Sequence, residues 1–156
     1  MRFVARLSRG LESRWLGAIA VAATVVALSG CRAPSPAVVI EGAWSAPTPP
    51  GASAAAAYMQ ITARQDDVLL SANAPIAAHT TIHTTSIEEG VMRMRPLAQV
   101  SIPAGETIRF EPGGPHFMLM DLRSSQAAGS TFAMVLNFQN AGAVQIEVAV
   151  HAPGER

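Results

Sequence analysis

A stretch of 156 residues is enough for one domain with a real core and hardly enough for two. Its eleven basic residues, all arginine, are matched by eleven acids, a balance that offers no basic surface for nucleic acid. A single cysteine excludes an intrachain disulfide.

Residues 1–30 read as a leader rather than as part of the fold. Arg2, Arg6, Arg9 and Arg14 form a positive stretch ahead of an apolar run from Leu16 to Leu28. That run is 13 residues long, short of the roughly twenty needed to span a bilayer. It ends in Leu28-Ser29-Gly30-Cys31, which resembles the lipobox of bacterial lipoprotein signal peptides. The resemblance implies cleavage before Cys31, lipidation of that residue, and anchorage on the periplasmic side of a bacterial membrane. The alternative is an ordinary secretory signal and a soluble periplasmic protein. Removing the leader takes four arginines and Glu12, leaving seven basic and ten acidic residues and a net charge of −3. A lipidated Cys31 can be neither a metal ligand nor a nucleophile, so soft-metal chemistry would fall to methionine and histidine.

Residues 31–37 then form the lipidated cysteine and a short Pro-containing tether. From Val38 to His151 short apolar runs alternate with turn clusters. Strands are expected at Val38–Trp44, Ala56–Thr62, Val68–Ser71, Thr80–Thr85, Val91–Pro96, Thr107–Phe110, His116–Leu122, Thr131–Phe138 and Ala143–Val150. Between them lie clusters such as Pro49-Pro50-Gly51, Glu88-Glu89-Gly90, Pro112-Gly113-Gly114-Pro115 and Asn140-Ala141-Gly142. In these, Gly permits positive φ and Pro fixes φ. The run Ala54–Ala57 could be helical, but it leads straight into Tyr58-Met59-Gln60-Ile61-Thr62. No apolar period of 3.6 residues persists over three turns, so the domain is expected to be all-β, a sandwich or barrel. Residues 152–156 are a short tail.

Chemistry concentrates in one stretch. His83, Met92, Met94, His116, Met118 and Met120 fall within 38 residues. On strands, His116, Met118 and Met120 share one face, and Met92 shares a face with Met94. Thioether sulfur is soft and neutral, so such a set favours copper(I) over zinc, magnesium or calcium. Thioethers do not pair into disulfides, so the site tolerates an oxidising compartment. Affinity is expected to weaken as pH falls through about 6.5, where imidazole protonates. Taken singly, a strand methionine is more often a core filler, the reading given to Met59 and Met134. His79 and His151 read as surface or hydrogen-bonded residues. The pairs Asp66-Asp67 and Glu88-Glu89 read as solvated turn residues.

The order His83, ten residues, Met94, twenty-one residues, His116, one residue, Met118 is similar to the H-x10-M-x21-H-x-M signature of the periplasmic copper chaperones called PCuAC. Trp44, Thr48-Pro49-Pro50-Gly51 and Ala57-Tyr58-Met59 resemble the N-terminal part of that family. The segments Gly90–Arg95, Ile102–Gly105 and Pro112–Met120 resemble its core. The resemblance implies a cupredoxin-like β-sandwich or Greek-key barrel that binds copper(I) through His83, Met94, His116 and Met118. Met92 and Met120 stand one strand repeat away as auxiliary donors. It implies a monomeric metallochaperone that passes copper by ligand exchange toward the dinuclear copper site of cytochrome c oxidase. The partner would be subunit II of the oxidase or another assembly chaperone. Thr84 stands where many members have an acidic residue after the first histidine. The tail His151-Ala152-Pro153-Gly154-Glu155-Arg156 lacks the His/Met-rich extension that some members carry.

Other classes fare worse on the same residues. A blue-copper electron carrier needs a cysteine thiolate beside two histidines, and Cys31 precedes the domain. No Gly-x-Ser-x-Gly, His-Glu-x-x-His or phosphate loop occurs, so an enzyme is not expected. A copper-buffering lipoprotein and a metal-free structural lipoprotein are the remaining alternatives.

Overall fold

The computed structural model describes residues 36–88 and 90–151. The proposed leader, Cys31 and residues 152–156 therefore lie outside the described residues. Ten strands run along the chain, and no helix occurs among the described residues. They are β1 (Val38–Ser45), β2 (Ala54–Ala63), β3 (Asp67–Asn73), β4 (Ala77–Glu88), β5 (Val91–Leu97), β6 (Val100–Ile102), β7 (Thr107–Phe110), β8 (His116–Leu122), β9 (Thr131–Phe138) and β10 (Gly142–Val150). All nine expected strands occur. Only β6 is not anticipated, its three residues being too few to show alternation. Ala54–Ala57 belongs to β2 rather than to a helix, with Ala55 and Ala57 buried and Ala54 and Ala56 on the opposite face.

The hydrogen-bonded path is β5-β4-β8-β2-β1-β10-β9-β3-β6, with β7 also on β2. All its pairings are antiparallel except β1 with β10, where Trp44 and Ser45 meet Ala149 and Val150 in parallel. This link joins two layers, one built on β4, β8 and β2 and the other on β9, β10 and β3. Between them lie fully buried side chains, among them Ile61, Phe117 and Leu119 from the first layer and Leu69, Leu136 and Val148 from the second. Phe110 and Phe117 stack at 4.6 Å between ring centroids within this core. Met59 and Met134 are buried in it as fillers, 2% and 0% exposed.

Two local features shape the other, outward face of the first layer. In β1 the register against β2 shifts between Glu41 and Trp44, at a bulge holding Gly42 at φ +60°. Before it Ile40 pairs with the buried Ile61; after it Trp44 pairs with Tyr58. Because side chains alternate with period two, that one-residue slip turns Trp44 from the core side to the outer side. The second feature is the turn at residues 112–115. β7 pairs with the second half of β2 and β8 with the first half, so the chain must step sideways between them. The turn makes the step, closed by Gly114 N–H donating to Glu111 O at 3.0 Å and Glu111 N–H to Pro115 O at 2.9 Å. It delivers His116 as the first residue of β8.

Candidate metal centre

Opposed residues in an antiparallel pair share a face, and the register of β4 with β8 and β5 sorts the candidate ligands at once. His83 lies opposite His116, Thr81 opposite Met118 and His79 opposite Met120. On the other flank of β4, Thr85 lies opposite Met94 and Ile87 opposite Met92. All six candidates therefore stand on the outer face of one layer. Ile82, Phe117 and Leu119 occupy the alternate positions and fill the core.

The centre of the arrangement is the histidine pair, with ring centroids 6.1 Å apart in an edge-to-face disposition. His116 is 4% exposed and His83 is half-buried. Met94 and Met118 are both diagonal neighbours of His83, one on each adjacent strand. Such positions are about 7–8 Å apart between backbones, within reach of long side chains. Met92 and Met120 stand one repeat further from the pair. Exposure follows the same order on the hairpin, with Met94 at 52% and Met92 at 69%. Among the described residues no three His, Cys, Asp or Glu side chains gather at one point. The donors beside the two imidazoles are thioethers.

Each imidazole is held by a hydrogen bond through one nitrogen. His116 Nδ1–H donates to the Gly114 carbonyl at 2.9 Å. A carbonyl can only accept, so Nδ1 carries a proton and Nε2 is the nitrogen left available to a ligand. His83 Nε2 lies 3.1 Å from the Thr81 hydroxyl, while its Nδ1 is buried without a hydrogen-bond partner. Burial, with a smaller contribution from His116 beside it, pushes the His83 imidazole below the usual histidine range. The pair thus leaves a buried His83 nitrogen free of hydrogen bonds, a group that could serve as a metal donor. The row of rings continues across the sheet: Tyr58 lies 6.4 Å from His116, and Trp44 4.7 Å from Tyr58. These two rings wall the β2 side of the centre, and burial pushes the Tyr58 phenol up in pKa.

The histidines and methionines are legible in the sequence, whereas their supports are not. Thr81 could have been found, since it precedes His83 by two and so shares its face. The Gly114 carbonyl could not, because only the turn geometry aims it at His116. Asp67, read as a solvated turn residue, is 6% exposed and holds three backbone amides, from Val68, Asn140 and Ala141, at 2.7–2.9 Å. The turn it sits in needs an internal acceptor there, which composition does not reveal.

Residues 38–150 match the family described as "Putative lipoprotein LpqE-like". A Leifsonia xyli subsp. xyli protein named "Putative lipoprotein Lxx21020" is 29% identical over 150 residues, covering 88% of this chain and 90% of that protein. Among solved structures, the copper(I) form of DR1885 from Deinococcus radiodurans is 30% identical, with 81% of this chain and 85% of that one covered and a TM-score of 0.59. The copper-bound PCuAC domain of PmoF2 is 25% identical over 75% of this chain and 94% of that domain, with a TM-score of 0.63. The apo PCuAC domain of PmoF1, at 24% identity and a TM-score of 0.63, shares the fold. With the sandwich matched along nearly its whole length, the chain belongs to the LpqE-like family, as a cupredoxin-like domain of the PCuAC type.

Proposed function

We propose that this protein is an extracytoplasmic metallochaperone that carries one copper(I) ion on His83, His116, Met94 and Met118. One observation carries the reading: two imidazoles face each other across β4 and β8, with a methionine diagonal to His83 on either side. Copper is cargo here. Two nitrogens and two thioethers make a soft, uncharged donor set that suits copper(I) and disfavours hard divalent ions. The copper-bound relatives support the same cargo. Of the two thioethers, Met94 is the more open, so a partner's ligand can displace it first while the half-buried His83 and buried His116 still hold the ion. Transfer then proceeds by replacement, without release of free metal, and calls for no catalytic step by the chaperone.

Delivery would run toward the dinuclear copper site of cytochrome c oxidase, from a protein tethered to the membrane through lipid on Cys31. Copper(I) competition titration tests the site: His83→Ala/His116→Ala should abolish tight binding, and unchanged affinity would overturn the assignment. Mixing the copper-loaded protein with the soluble domain of oxidase subunit II tests the destination. Copper retained throughout would favour a buffering role instead. Mass spectrometry of the membrane-extracted protein tests acylation at Cys31.

A further inference from the structure

The outer face of β4 and β8 carries a second soft pair. His79 and Met120 lie directly opposite each other, four residues along each strand from His83 and His116, or about 13 Å at the rise of a strand. Both side chains are exposed, Met120 at 39%. Between the two pairs stands Met118, opposite Thr81 and about 7 Å from either. On the far side of β8 the neighbouring positions of β2 are Ala54, opposite Met120, and Ala56, opposite Met118. Those methyl-sized neighbours leave both thioethers open along β2. The outward alanines of the Ala54–Ala57 run thus set only small side chains beside the two methionines.

We propose that His79 and Met120 form a second, weaker copper(I) site that receives the ion and passes it along β8 to the His83–His116 centre. The inference rests on that centre being the copper site. One imidazole and one thioether suit copper(I), a soft ion, but offer two donors against four, so the pair binds more weakly. In the transfer, the bonds to Met120 Sδ and the His79 ring nitrogen break as bonds to Met118 Sδ, then to the ring nitrogens of His83 and His116, form. The metal stays copper(I) throughout, and no electron is exchanged.

The test is an anaerobic copper(I) titration of the full chain labelled with [13C]methyl-methionine, followed by NMR. The first equivalent should move the Met94 and Met118 methyls and the ring signals of His83 and His116. The second should move the Met120 methyl and the His79 ring. His79→Ala/Met120→Leu should reduce binding from two equivalents to one. It should leave first-site affinity unchanged, because His83, His116, Met94 and Met118 are all retained. Unchanged dispersion of the amide spectrum shows that the exposed substitutions leave the fold intact. A Met120 methyl unmoved by the second equivalent, or two equivalents still bound by the variant, overturns the proposal. The first equivalent reports on the central site and the second on His79 and Met120, so the two readings fail separately.

Discussion

At His83 the two ring nitrogens have different fates, and Thr81 decides which is which. If Nε2–H donates to the Thr81 hydroxyl, the buried Nδ1 is left as a bare lone pair in the site. A hydrogen bond of this kind fixes both the tautomer and the orientation of a ligating ring. Thr81→Val keeps the shape and removes the bond, so copper(I) affinity should fall about tenfold, the low end for loss of such a support. Competition against a chelator measures it; the same affinity in the variant would show that packing alone holds the ring. The pH dependence follows from the same residue. Because burial first and the neighbouring His116 second depress the His83 pKa, protons compete with copper there only below the usual histidine range, about 6.5. The contribution of His83 to affinity should therefore hold as pH falls to that range and decline beneath it. His116→Ala removes only the smaller cause, so the remaining His83 titration, read from its ring signals without metal, should rise slightly and stay below the ordinary value.

Among the elements, β1 shows how a single residue decides which face a neighbour serves. Gly42 sits at φ +60° in the bulge, a region that costs a residue with a Cβ roughly 1–2 kcal/mol. Gly42→Ala meets no atom within 4 Å, so strain is its only penalty. It should lower stability by about 1 kcal/mol with an unchanged denaturant slope, measured by urea unfolding. Trp44 remains on the outer face if the bulge survives. Alternation and turn residues made the long strands legible, because burial on one face writes a period-two pattern. The bulge and β6 left no such mark: one slips a register, the other is too short to repeat. The candidate site divides the same way. His116, Met118 and Met120 could be placed on one face from spacing alone. That β4 brings His83 opposite His116 and His79 opposite Met120 is a pairing between strands 33 and 41 positions apart, which no local pattern encodes.

Across the whole molecule, the loops at the far end of β2 from the histidines are tied to one another. There Asp66 and Asp67 tie the β2–β3 turn to two others. Asp66 accepts from the Ala104 amide and, through its carbonyl, from the Asn140 side chain. Asp67 accepts from the amides of Val68, Asn140 and Ala141, which fastens the start of β3 to the β9–β10 turn. Burial by itself would raise the Asp67 carboxyl, but the amides of Asn140, Val68, Ala141 and Gln139 outweigh it and hold the pKa below the ordinary carboxylate value. A group whose pKa is lower folded than unfolded adds stability that is complete above the unfolded value, near about 4, and is lost as pH falls through the folded one. Asp67→Asn should thus cost about 2–3 kcal/mol at neutral pH, since buried amides lose a charged acceptor. It should also flatten the acid limb of the stability curve below about pH 4. Copper(I) affinity at neutral pH should stay put, because sites well apart with no shared partner act independently. An acid limb as steep in the variant as in the parent would assign that limb to other carboxylates. A loss of copper affinity would mean that the two ends of the sandwich are coupled through β2.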